Sequence, residues 1–234
     1  PHADLNIRAD QFRWFDHWLK GIDTGIMDEP PIRLFVMGEE RWRTFETWPP
    51  HCEASTLALS RGGRLAEPQA AEPSEDLFEH DPEHPITSIS DVQDIRDYES
   101  RALTYTSEPL AEDHTVIGSP IARLRLRCSA ADAHIMLKLT DVFPDGRSRQ
   151  ITYGRLRAAH REGHERAVPL PPGEIVELTI PFWPTANTFR AGHRVRLVVA
   201  GSDAPYAHIC PEKSRCELVS AGPAASALEL PMVL

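Results

Sequence analysis

The sequence predicts an all-β protein, a β-sandwich fronted by a short helix-plus-strand segment. Residues 193–200, HRVRLVVA, alternate so that Val195, Leu197 and Val199 fall on one side of an extended chain, with Arg194, Arg196 and Val198 on the other. That is the pattern of a half-buried strand in an antiparallel sheet. Comparable segments recur down the chain with turn residues between them, the arrangement of a sandwich or barrel. In DVFPDG at 141–146, Pro144 fixes φ and Gly146 accepts a positive φ, which marks a hairpin. The 21 prolines suit short strands joined by rigid turns.

At the start, Ile7, Phe12, Phe15, Trp18 and Leu19 recur at near-helical spacing. Asn6 is placed to cap this helix and Gly21 to end it. A Pro30–Pro31 loop leads into the apolar run 32–37, which reads as a buried strand ending at Gly38. Trp42 and Trp48 follow, closed by Pro49–Pro50. This unit is expected to be the tail of an α/β layer. From Ser55 onward the helical period disappears. Residues 55–60 read as a short strand, and 61–97, rich in Pro, Glu, Asp and Gly, as mostly loop. Strands are then expected at 102–106, 121–128, 133–143, 148–159, 174–180, 194–200 and 227–234.

A length of 234 residues suits one large all-β domain or two small ones. The net charge of −10 argues against nucleic acid, whose phosphates require concentrated Lys and Arg. No apolar run approaches the roughly 18 residues of a membrane span, so no membrane partner is expected. Of the four cysteines, Cys52 and Cys128 are isolated and only Cys210 and Cys216 are close in sequence, which is not a disulfide framework. A reduced, cytoplasmic setting is the expectation. The chain opens on Pro1, not Met, so its natural start is left open.

Five segments occur in a telling order: RWFDHWLKG at 13–21, IRLFVMGEERWRTFETWPP at 32–50, LTYTSEPL at 103–110, LKLTDVFPDGRS at 137–148 and PTANTFRAGHRVRL at 184–197. Together they resemble the C-terminal region of the cocaine esterase and X-prolyl dipeptidyl-peptidase (CocE/NonD) serine hydrolases. The resemblance implies a jelly-roll β-sandwich, galactose-binding-like, at 51–234. It implies that 1–50 are the end of an α/β-hydrolase domain or its junction. In that family the Ser, Asp and His of the triad lie upstream, so this chain is expected to be inactive alone and to need no cofactor. One departure stands out. Asp81-Pro82-Glu83-His84-Pro85 runs almost directly through 88–97 to Leu103–Ser107, without the Gly-rich D-Q-R element of many members. The part of the cleft wall that this element supplies is therefore not implied here, while the sandwich as a whole is still expected to help roof the cleft.

The residues agree on the missing chemistry. A nucleophile elbow needs a Ser between small residues in a strand-to-helix turn, G-x-S-x-G, and no such string occurs. Gly118-Ser119-Pro120 and Gly201-Ser202-Asp203 come nearest and read as turns. His160 and His164 in HREGH have a ligand-like spacing but read as a solvated loop. His208, Cys210 and Cys216 lack a fourth ligand; a free thiol pair or a disulfide across the short loop is the expectation there. Asp141 and Asp145 read as a solvated hairpin tip and not as a calcium site.

Phe12, Phe15, Trp18, Trp42, Trp48 and Trp183 are the candidate docking residues, filling a seam against a catalytic α/β-hydrolase domain of the same or a partner chain. Without that partner the helix face and the 32–37 strand each leave large side chains in water, at roughly 1.5–3 kcal/mol apiece. The expectation is that an isolated chain folds this surface onto the sandwich or forms a homo-oligomer. Two rivals remain. One is a free-standing carbohydrate- or protein-binding module using the same tryptophans. The other is an enzyme with a novel site around His193 and Asp203.

Overall fold

A computed structural model describes residues 3, 5–88, 92–221 and 225–233. Its elements are α1 (Ile7–Lys20), β1 (Ile32–Val36), β2 (Arg41–Phe45), β3 (Glu53–Ser60), β4 (Arg64–Ala66), β5 (Ser74–His80), α2 (Arg96–Glu99), β6 (Leu103–Thr106), β7 (His114–Gly118), β8 (Ile121–Cys128), β9 (His134–Val142), β10 (Ser148–Arg157), β11 (Ile175–Pro181), β12 (Thr185–Phe189), β13 (Arg194–Ala200), β14 (Ser214–Ser220) and β15 (Ala227–Met232). The β-sandwich is the expected fold class, and the expected strands are present with their ends moved by a residue or two.

One hydrogen-bonded ladder wraps the sandwich, in the order β10-β9-β13-β6-β4-β3-β15-β8-β14-β5. β11 adds to β8, and β12 joins through β7. Period-2 alternation explains the core. Leu124 and Leu126 of β8, Ile135, Leu137 and Leu139 of β9, and Val195, Leu197 and Val199 of β13 all point inward and are buried. The β9–β10 hairpin closes at the predicted turn, where Gly146 takes φ 87° and donates its N–H to the Phe143 carbonyl.

Most of 61–97 is irregular, as expected, but the stretch is not without strands. β4 and β5 lie there and α2 begins at its end, and β5 pairs antiparallel with β14 along its whole length. The half-buried reading of β13 is also corrected. Val198, on its supposedly solvated face, is fully buried in a second cluster with Ile86, Ile95, Tyr98 and Met136. The segment that includes α2 folds across the outer face of β9 and β13 and covers it.

The N-terminal unit has a different construction. Asn6 caps α1 by accepting the Ala9 N–H at 3.1 Å, and Gly21 ends it in the left-handed region at φ 68°. β1 and β2 form an isolated antiparallel hairpin. It hangs on β12 through Met37 N–H to the Ala186 carbonyl and Thr188 N–H to the Met37 carbonyl. No residue of α1 is buried. Of the two outcomes expected for an isolated chain, the refolding of that surface onto the sandwich is not seen: α1 is tied to the loop after it and to the hairpin by polar contacts.

Candidate docking surface

Those contacts are specific. Arg13 is bonded to Glu29, the Thr24 hydroxyl donates to the Arg13 carbonyl at 3.1 Å, and Arg33 of β1 meets Asp10 at 2.9 Å. They fix α1 beside the hairpin while its rings face water. Phe12 is 68 % exposed, Phe15 53 % and Trp18 55 %. Trp14, which the spacing did not single out, lies 5.8 Å from Trp18 and is 48 % exposed.

The hairpin supplies the next part. Trp42 sits opposite Phe35, ring centroids 5.6 Å apart, with the Arg33 guanidinium over its ring at 5.5 Å. Trp42 is thus half-buried and braces the hairpin. Trp48 remains 46 % exposed beside an open, apolar groove of about 530 Å3, which Leu34, Phe35, Met37, Ile151 and Pro184 also line. Trp183 flanks Pro184, is 62 % exposed, and lies 6.3 Å from the Tyr153 ring. Its backbone is fixed at both ends, the N–H donating to the Tyr153 carbonyl and its carbonyl accepting from Thr152 at 2.7 Å. A rigid backbone carrying an exposed indole is the arrangement of a contact residue. Trp48 therefore lines the groove, Trp183 adjoins it through Pro184, Trp42 packs on its lining residue Phe35, and Phe12, Phe15 and Trp18 form a separate stripe. Ile151 and Tyr153 were missed in the sequence; they alternate along β10, the signal that was available.

The remaining candidates resolve differently. His193 Nδ1 lies 2.8 Å from the Asp141 carboxylate, not against Asp203. Asp141 is buried, correcting its reading as a solvated tip, and burial raises its pKa against the opposing pull of His193. Among the described residues no serine hydroxyl is bonded to that ring. Ser202 is buried in a turn, its Oγ accepting the Ile86 N–H at 2.8 Å. His160 and His164 stack with centroids 6.1 Å apart. Asp81, Glu83 and His84 approach one another at ligand-like distances, but Lys213 already meets Asp81 at 3.0 Å. Cys216 does not face Cys210; it lies against Cys128 on the neighbouring strand. No described helix is long and apolar enough to cross a membrane.

Fold and surface together define a jelly-roll β-sandwich domain with solvent-exposed aromatic side chains along α1 and beside the hairpin. Residues 24–228 match the family described as the X-Pro dipeptidyl-peptidase C-terminal non-catalytic domain. The chain belongs to that family. It is 32 % identical to the cocaine esterase of Rhodococcus sp., over 82 % of this chain and 37 % of the esterase. It is also 32 % identical to a Mycobacterium tuberculosis protein assigned as a serine esterase, over 89 % of this chain and 38 % of that protein. An aminopeptidase from a marine sediment archaeon superposes with a TM-score of 0.85 at 25 % identity, over 97 % of this chain and 44 % of the aminopeptidase. The chain thus spans less than two fifths of the length of these curated relatives.

Proposed function

We propose that this chain is the non-catalytic C-terminal unit of an α/β serine hydrolase acting on esters, amides or X-Pro peptides. Residues 51–234 form the sandwich proper, and residues 1–50 the junction that follows the catalytic domain. The sandwich packs on the catalytic domain through Phe12, Phe15 and Trp18 and through the groove beside Trp48 and Trp183. It stabilises that domain and helps roof the substrate cleft.

The observation that carries this reading is α1, an amphipathic helix tethered by ion pairs while every large apolar side chain on it stays open to solvent. A surface of that kind calls for a partner with an apolar face. Membership of a non-catalytic family and relatives more than twice as long supply the partner's class.

The test is association. The chain is mixed with the separately produced α/β-hydrolase portion of the Rhodococcus relative, and binding is followed by calorimetry alongside turnover of a p-nitrophenyl ester. Binding that lengthens the thermal half-life of the hydrolase portion is the expected result. Labelling of this chain alone by a fluorophosphonate probe overturns the reading, because it requires an activated serine.

A further inference from the structure

Cys128 and Cys216 stand directly opposite each other on β8 and β14. The next pair along, Ser129 and Arg215, is hydrogen-bonded, Ser129 N–H to the Arg215 carbonyl at 2.9 Å. Antiparallel pairs alternate, so Cys128–Cys216 is a non-hydrogen-bonded pair, where Cα atoms approach to about 4.5 Å and side chains lie closest. Disulfides span Cα separations of about 4.4–6.8 Å. The two Sγ atoms are 2.8 Å apart, inside ordinary non-bonded contact of about 3.5–4 Å. Cβ direction, strand register and sulfur approach all suit a bond.

We propose that Cys128 and Cys216 are a covalent modification site, converted by a small disulfide oxidant into a cross-strand disulfide that fastens β14 to β8. The chemistry is thiol–disulfide exchange. The Cys128 thiolate attacks one sulfur of RSSR, releasing one thiolate and leaving a mixed disulfide. Cys216, losing its proton to solvent, then attacks the Cys128 sulfur and expels the second thiolate. Two protein S–H bonds are lost and one S–S bond forms; the oxidant takes two electrons and two protons as two RSH.

Cys128 is the attacking group. The hydrogen bond from Cys216 lowers its pKa against the opposing effect of burial, and the Ala130 and Ser129 N–H groups add to the lowering. Cys216 is correspondingly raised, by that same hydrogen bond and by burial. Both thiols are nearly inaccessible, so reaction follows local opening, to which position near strand ends lends itself: Cys128 closes β8 and Cys216 is the third residue of β14.

The test uses the chain alone, so it stands apart from the docking reading. The folded protein is incubated with oxidised glutathione, trapped with iodoacetamide in denaturant, and digested without reduction. Trypsin sites at Lys213 and Arg215 separate Cys210 from Cys216. The expected product is one cross-link joining Cys128 to Cys216, with a loss of about 2 Da. Cys52 and Cys210 remain alkylated. The bond closes a separation of 88 residues, and Tm rises by about 10 °C, reversed by dithiothreitol. Cys128→Ser and Cys216→Ser abolish the cross-link, whereas Cys210→Ser retains it. Four alkylated cysteines, a Cys210–Cys216 link, or a product that stops as a glutathione adduct would each overturn the proposal; all are read on the unmutated chain.

Discussion

Glu99 and Arg196 are 97 residues apart in sequence and meet at 2.5 Å, joining α2 to β13. The same carboxylate accepts from Ser148 of β10 at 2.5 Å and from Thr140 of β9 at 3.2 Å. One side chain on a single-turn helix thus reaches three strands and fastens the layer that buries Val198. Removing it leaves the Arg196 guanidinium without its counter-charge, bonded to Thr106, and the two hydroxyls bonded to each other in place of the carboxylate. Glu99→Ala is expected to cost about 3 kcal/mol of stability, read as a lower urea midpoint. A change below about 0.5 kcal/mol would mean that water replaces the carboxylate and that the layer is not held by it.

A second polar tie in the same layer predicts a pH dependence. Lys138 is buried, its Nζ donating to Ser88 at 2.6 Å and Gln150 at 3.1 Å, 3.2 Å from Asp203 and 4.1 Å from the Tyr98 ring. Burial lowers its pKa from the ordinary 10.5, and Asp203 opposes that lowering. Between the folded and unfolded values the unfolded chain binds more protons, so stability rises with pH across that window. Asp203→Asn removes the counter-charge and widens the window. The variant is expected to lose about 2–4 kcal/mol at pH 7, with the deficit shrinking as pH rises towards 10. Thermal melts at pH 7, 8.5 and 10 check it; a deficit independent of pH would assign the loss to packing.

This layer is also where the sequence was hardest to read. The inward residues of β13 were legible because Val195, Leu197 and Val199 obey period 2. The burial of Val198 was not, because its cover comes from Ile86, Ile95 and Tyr98, too few and too far apart in an acidic, proline-containing stretch to establish a period. β5, SEDLFEH, escaped for a related reason: only Phe78 and His80 along it are buried, among four acidic and polar neighbours. Partnership between Cys128 and Cys216 depends on long-range register, which local pattern does not encode. The aromatic candidates were visible as residues, but the division between Trp42 as a brace and Trp48 and Trp183 as open rings depends on hairpin pairing.

That division gives a prediction separating docking from stability. Trp48 and Trp183 contribute little to the folded chain, so Trp48→Ser and Trp183→Ser are expected to change unfolding free energy by less than about 0.5 kcal/mol each. Under the proposed docking role each weakens association with a hydrolase domain about tenfold, the weight of a buried aromatic anchor at an interface. Trp42→Ser reverses the pattern, disturbing the hairpin and binding together. Equal losses of stability for all three tryptophans would count against the surface reading.

Gly38 controls whether the hairpin stays attached at all. It adopts φ +79°, and a Cβ built there would lie 2.1 Å from the Thr188 carbonyl oxygen of β12. Backbone does not yield by such a distance, so a side chain at 38 is excluded by both conformation and space. Around it converge the contacts that hold the unit: Arg190 Nε donates to the Gly38 carbonyl at 2.9 Å, and the Thr188 hydroxyl donates to Glu39 at 3.0 Å. Gly38→Ala must therefore move β1 and β2 away from β12, breaking these bonds while leaving the sandwich core intact. The expected outcome is local: cleavage by a dilute protease between residues 38 and 53 accelerates at least tenfold, with a change of only a few degrees in the main thermal transition. Should the main transition collapse instead, the hairpin and sandwich would be one cooperative unit, and the groove beside Trp48 would belong to the core rather than to its periphery.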